Sequence, residues 1–388
     1  MVATDPVGRI PHGPLAGVRV VELAGIGPLP FACMLLAELG AEVVKVDRPA
    51  GGGLGVPPEL DLLNRGRPSV ALDLKTPAGV ETVRRLVDRA DVFVEGFRPG
   101  VAERLGLGPD ELLDRRPALV YGRMTGWGQD GPYAGLAGHD ITYLATSGVL
   151  HAIGPAAAPV VPLNLIGDFG GGAMYLVTGV LAALHFAKTT GRGQVVDAAV
   201  VDGSAHLATL VHGLLAAGAW VDARASNLLD GGAPFYGVFV TSDGRSLAVG
   251  PLEPRFYAEF EDRLGLDEPL PDRNDLATWD DLRARLTAVF ASRTQDEWVA
   301  AFEGSDACVA PVLSLREAPD HPHLAARETF ETRYGVVQPA PAPRFSRTPS
   351  KLTTPPVVVG HDTRDALLSW GIDDVDELIE SGVAIQQP

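Results

Sequence analysis

The residues best equipped for chemistry are His139 and Asp140 in "AGHDITYLATSGVLHAIG" (137–154) and Asp168 in "LIGDFGGGAMYLVTG" (165–179). Each stands just ahead of an apolar stretch with helical spacing. A histidine and a carboxylate of moderate pKa can pass protons to and from a carbon acid, one acting as base while the other is the acid. Helix N-termini add backbone N–H groups and a favourable partial charge, both suited to a developing oxyanion. The plainer reading of Asp168 is an N-cap, where aspartate is favoured in any case. Gly170, Gly171 and Gly172 permit either close packing or the approach of a ligand to the backbone. His151 reads as structural, and His185, His206 and His212 fall on predicted helices as packed or solvated side chains.

A second set is basic: Arg48, Arg65, Arg67, Lys75, Arg98 and Arg104, most of them at predicted strand ends or in nearby loops. Arginine forks suit phosphates because they donate in pairs. The chain as a whole is acidic, with 32 Lys and Arg against 49 Asp and Glu and a net charge of −17. That balance repels nucleic acid and anionic membranes, so an anionic ligand needs a local cationic cluster. Gly25-x-Gly27, with Asp47 at the end of the next strand, imitates a dinucleotide fingerprint. Pro30 stands where that fingerprint needs a third small residue, so a tight βα turn is the expectation there. Cys33 and Cys308 are the only cysteines, which excludes a disulfide scaffold and a cysteine zinc site. No metal and no separate cofactor are expected. No stretch reads as a membrane span, "MVATDPVGRIPHG" lacks a signal-peptide pattern and "AIQQP" matches no targeting signal. The expectation is a soluble cytoplasmic protein.

The elements that must position these residues alternate. "GVRVVELAG", "AEVVKVDRP", "SVALDL", "DVFVEG", "ALVYGRM" and "GQVVDAAV" read as strands, with helices such as "PLPFACMLLAELG" and "PAGVETVRRLVDRA" between them. That alternation predicts an α/β fold with a parallel sheet covered on both faces. A helix follows Asp140, a long one runs from about Phe169 to Lys188, and "DGSAHLATLVHGLLAAGAW" reads as another. The texture changes near Asp222: a hairpin around Asp243-Gly244, three helical segments, and "ACVAPVLSL" as a buried strand. Thr294 and Glu297 have capping-box spacing. The expected division is 1–221 as a large domain, 222–330 as a small α/β domain, and 331–388 as a linker and short helices returning to the large one. "VQPAPAPRFSRTP" is the linker.

With these motifs in view, the chain resembles the family III CoA-transferase (CaiB/BaiF) superfamily. The likeness lies in "LAGVRVVELAGIGP…LLAELGAEVVKVDRP", "FRPGVAERLGLGP" and "RMTGWGQDGP". "AGHDITYLATSGVLHAIG", "VPLNLIGDFGGG", "GQVVDAAVVDGS" and "LEPRFYAEF" are similar to its α-methylacyl-CoA racemase branch. The resemblance implies a large Rossmann-like domain, a small α/β domain and an interlocked homodimer. It implies inversion of the C2 centre of 2-methylacyl-CoA thioesters through an enolate. His139 and Asp168 would be the acid–base pair, Glu253 a supporting glutamate, and Asp140 the bearer of the N–H that meets the thioester oxygen. CoA would contact Arg48, Lys75, Arg98 and Arg104, with Leu72 and Tyr143 lining its path. The rival reading is a family III CoA-transferase with Asp168 as the acyl-accepting nucleophile. A transferase has little need of His139. A methionine-rich acyl surface is common in the racemase branch, but here the matching helix carries Val, Leu and Ala.

Overall fold

A computed structural model describes residues 12–51 and 55–388, which form two compact units. The first comprises the described residues up to Ser147, Leu163–Leu207 and Glu328–Pro388; the second comprises Gly148–Pro162 and Ala208–Arg327. The second unit therefore starts at Ala208 rather than Asp222, and 148–162 belongs to it.

The first unit runs β1 (Arg19–Leu23), α1 (Pro28–Glu38), β2 (Glu42–Asp47), β3 (Ser69–Leu72), α2 (Pro77–Val87), β4 (Val92–Glu95), α3 (Val101–Arg104), α4 (Pro109–Arg115), β5 (Val120–Thr125) and α5 (Asp140–Thr146). A π-helix (Leu165–Ala173), α6 (Met174–Thr190), β6 (Gln194–Ala199) and α7 (Val200–Leu207) follow. Valine-rich strands suit a sheet buried on both faces. Val20, Val43, Val92 and Val120 pack under α1 and α6, whereas Val21, Val44, Val70 and Phe93 face the other way, toward α2. Prolines at the start of α1 and α2 have no N–H to lose there, and Thr76 caps α2 by accepting from Gly79 N–H at 3.0 Å.

The second unit contains α8 (Thr209–Ala216), β7 (Gly237–Val240), β8 (Ser246–Val249), α9 (Pro254–Leu264), α10 (Trp279–Phe290), α11 (Gln295–Phe302), β9 (Val309–Pro311) and α12 (Pro322–Ala326). β7, β8 and β9 form an antiparallel sheet over a core of Phe260, Phe290 and Trp298. The expected capping box at Thr294 and Glu297 is formed. β9, expected as a buried strand, has only three residues and is part-exposed because it pairs with β8 alone, at the sheet edge.

The chain returns to the first unit through β10 (Phe330–Arg333), β11 (Val336–Pro339), α13 (Thr363–Ser369), α14 (Val375–Glu380) and β12 (Ala384–Ile385). The start of the expected linker is thus a strand, paired antiparallel with β10. β12 closes the edge of the main sheet, whose order is β12-β3-β2-β1-β4-β5-β6. β1 to β6 run parallel and β12 antiparallel to β3. The strand order reverses between β1 and β4, and in such sheets ligands bind at the carboxyl ends beside that reversal.

Two helices differ from expectation. The long helix begins as the π-helix at Leu165, four residues ahead of Phe169. From Leu165 to Thr190 it is long and apolar enough to cross a membrane, contrary to the expectation of no such stretch. Here it lies on the sheet, with Leu176, Val177, Val180 and Leu184 in the core. "DGSAHLATLVHGLLAAGAW" is two helices, broken at Ala208, where φ is −83° and ψ 9°.

Candidate active site

His139 is the N-cap of α5 and Asp140 its first residue. Thr142 makes the cap: its hydroxyl accepts from the His139 N–H at 3.0 Å and donates to the His139 carbonyl at 2.7 Å. The His139 imidazole is exposed and makes no cap hydrogen bond. The Asp140 N–H is one of the donors that a helix start leaves without an internal acceptor.

Asp168 lies inside the π-helix, not at its cap, so the plainer expectation for it fails. Single π turns often mark functional sites. Its backbone N–H donates to Asp140 Oδ1 at 2.7 Å. Its own carboxylate is half-buried, with Asn164 Nδ2 at a long 3.4 Å from Oδ2. Gly27 closes the other side: φ is +70°, and a Cβ there would stand 3.2 Å from Asp168 Oδ2. Phe31 of α1 stacks on Phe169 with ring centroids 4.4 Å apart. The turn that imitated a dinucleotide loop is therefore a wall beside Asp168, next to the strand-order reversal.

The electrostatics follow. Burial pushes the Asp168 carboxyl above the usual carboxylate range, and the Asp140 charge pushes the same way. Asn164 and His139 act in the opposite direction. Asp140 is also raised by burial, against the N–H groups of Asp168 and Gly167. Tyr143 is buried edge-on to Trp127 at 4.8 Å and packs against Gly126, where a Cβ would come within 1.9 Å of its ring. The Tyr143 phenol is raised by burial first and by Asp168 second, while Arg98 opposes both. His139, Asp140, Tyr143, Asp168 and Arg98 thus share one electrostatic environment.

The basic residues separate into two groups. Arg48, Lys75, Arg98 and Arg104 are exposed on the first unit. Arg48 stands 5.9 Å over the Phe97 ring, beside Arg98. Lys75 and Arg104 line an open groove of about 390 Å³ with Val80, Leu105 and Arg84, which donates to the Gly106 carbonyl at 2.7 Å. Arg65 and Arg67, by contrast, are internal: Arg65 pairs with Glu38 at 2.7 Å and Arg67 with Glu22 at 2.5 Å, all four buried. Leu72 is a correction as well. It is fully buried in β3, where β12 pairs beside it and both sheet faces are covered, so its side chain lines no ligand path.

Glu253 belongs to the second unit, as the exposed N-cap of α9. The thiol of Cys308 is raised by burial and then by the Glu253 charge, so these two are neighbours. His151 is in the same unit, its carbonyl held by Arg224 Nη1 at 2.8 Å. Tyr175 and His206 hydrogen-bond at 2.6 Å in the first unit. Sequence reasoning missed Asn164, Gly27 and the carboxylate of Asp140. Asn164 was within reach, because it precedes Asp168 by one helical turn.

Comparison with known proteins identifies the family. The model of CoA-transferase family III matches residues 15–363. The chain is 48% identical to the α-methylacyl-CoA racemase of Mus musculus over 87% of each chain. It is 42% identical to the Homo sapiens α-methylacyl-CoA racemase over 95% of this chain and 98% of that one. A crystal structure of a CaiB/BaiF family protein from Brucella suis superimposes with a TM-score of 0.79 at 27% identity, covering 92% of this chain and all of the other. The chain belongs to CoA-transferase family III.

Proposed function

We propose that this protein is an isomerase that inverts the C2 centre of 2-methylacyl-CoA thioesters. The observation that carries the reading is His139 beside Asp140 at the mouth of α5, with Asp168 held against Asp140 by the 2.7 Å contact. One of His139 and Asp168 would remove the α-proton while the other, protonated, returns one to the opposite face. Proton transfer of this kind typically contributes ~10²–10⁴-fold. The Asp140 N–H would meet the enolate oxygen, and a good oxyanion donor is worth roughly 3–4 kcal/mol. Glu253 would be the supporting glutamate. The nucleotide of CoA would lie along Arg48, Arg98 and the groove of Lys75 and Arg104, and CoA as part of the substrate is the only cofactor-like group required. The protein would act as a homodimer, and its exposed free Cys308 suits a reducing, cytoplasmic setting.

The test is a single NMR experiment in deuterium oxide with EDTA present. A (2R)- or (2S)-2-methylacyl-CoA should exchange its α-hydrogen for deuterium while it epimerises, with no second acyl acceptor. His139→Ala and Asp168→Ala should each abolish inversion, each keeping at most slow exchange on one epimer. An untouched α-position together with acyl transfer to an added carboxylate would establish the transferase reading instead. Restoration of EDTA-lost activity by a divalent ion would show a metal requirement.

A further inference from the structure

The carboxylate of Asp140 has no part in the chemistry above, which uses only its backbone. It is 9% exposed and points at the start of the Gly167–Asp168 turn, where Oδ1 accepts the Asp168 N–H at 2.7 Å. A Cβ on Gly167 would fall 2.2 Å from the same oxygen, so glycine at 167 is what lets the carboxylate reach the turn. We propose that the Asp140 side chain is a positioning residue that fixes the Asp168 backbone and places a negative charge beside the Asp168 carboxylate, strengthening it as a base. The inference rests on the racemase reading of Asp168.

Three features of the surroundings make this charge effective. Among the described residues, the side-chain partner of Asp168 is one neutral amide, Asn164, at 3.4 Å. The α1 turn that faces Asp168 Oδ2 at Gly27 carries prolines at 28 and 30, so two of the N–H groups a helix start normally offers an anion are missing. The charged and titratable groups on the packed elements are these. α5 and its cap bring Asp140, His139 and the Tyr143 phenol, α7 brings Asp202 and the Tyr175-bonded His206, and α1 carries Glu38 at its far end. β5 and β6 bring Arg123 and Asp197, with Arg123 engaged by Glu95 and Glu103, and α6 brings His185 and Lys188 in its last turns. Among the described residues, Asp140 and His139 are the ones whose charges bear on Asp168, with opposite signs.

The test uses Asp140→Asn, which keeps an oxygen to accept the Asp168 N–H and removes the charge, and Asp140→Ala, which removes both. The Asp168 carboxyl is followed by pH titration of its ¹³C shift in the full-length protein, and α-deuterium exchange is measured for each epimer. In Asp140→Asn the Asp168 midpoint should move to lower pH, and the exchange that uses Asp168 as base should keep its rate at lower pH but reach a lower plateau. Asp140→Ala should lose about 10²-fold in inversion through misplacement of Asp168. A midpoint that stays put or rises in Asp140→Asn overturns the inference, even if Asp140→Ala fails to fold. Absence of exchange in the unmodified protein would instead defeat the racemase reading itself.

Discussion

At the scale of single residues, the site keeps a carboxylate where it is poorly solvated, and that has a cost in stability. The folded-state pKa of Asp168 is raised above its unfolded value, by burial first and by the Asp140 charge second, so folding disfavours its charged form. The folded state binds the proton more tightly, so the stability contribution of Asp168 falls as pH rises from the ordinary carboxylate range through the raised value. Asp168→Asn should therefore raise Tm near pH 7 by about 1–3 °C, and the gain should fade below about pH 4, where both forms are neutral. Calorimetry across that range checks it; a Tm lower than wild type at pH 7 would mean that the charge is well compensated. His139, Asp140 and Asp168 were legible as a chemical set through the family resemblance; by residue type and position alone Asp168 reads as an N-cap and His139 as a polar surface residue. The contact between Asp140 and Asp168 was not, because it joins residues far apart in sequence through a side chain that reads as an ordinary first-turn acid. Gly27 was misleading for a related reason. Its positive φ serves an approach to a carboxylate, and a Gly-x-Gly pattern does not say which group approaches.

At the scale of elements, the site depends on how firmly the β1–α1 turn is anchored. Arg67, fully buried, pairs with Glu22 of β1 and also bonds the Leu63 carbonyl and Asn64 Oδ1, tying the loop before β3 to the strand that ends at the turn. Arg67→Ala would leave Glu22 buried without its partner, a defect that typically costs 3–5 kcal/mol. Urea unfolding should show a loss of that order, while Arg67→Ala/Glu22→Ala should recover part of it; a loss below about 1 kcal/mol would put the pair's weight elsewhere. The strands of the sheet were readable because valines fill both faces, and so were the capped helices. Arginine type alone could not separate Arg65 and Arg67, buried against Glu38 and Glu22, from the exposed Arg48 and Arg98. Only the carboxylates that face them decide it. The break at Ala208 was hidden because no proline or glycine marks it. β12 was hidden because two residues carry no alternation. The π-helix was hidden because its spacing differs from an α-helix by too little over nine residues to be seen.

At the scale of the molecule, an acidic chain must hold an anionic ligand through a few exposed cations. A hydrogen bond to a charged group is worth roughly 1.5–3 kcal/mol, so Arg104→Ala should raise KM for an acyl-CoA about tenfold or more with kcat little changed. The effect should disappear for a pantetheine thioester that lacks the nucleotide, and an equal loss on both substrates would move Arg104 out of the nucleotide's path. The surface makes a second demand. On the first unit Leu163, Leu165, Leu207 and Met174 are 66, 56, 51 and 44% exposed, and on the second Leu210, Val221 and Val238 are 62, 60 and 64% exposed. Scattered exposed leucines are ordinary, but here many of them cluster in the chain between residues 160 and 229, on both sides of the change of unit at Ala208. The interlocked homodimer proposed above could not separate without opening the chain. Light scattering should then give twice the 40.8 kDa chain mass at every concentration from nanomolar to micromolar. Subunit exchange with a tagged copy should be no faster than unfolding. A monomer at micromolar protein would rule out the dimer, and exchange within minutes under native conditions would leave a dimer whose chains are not interlocked.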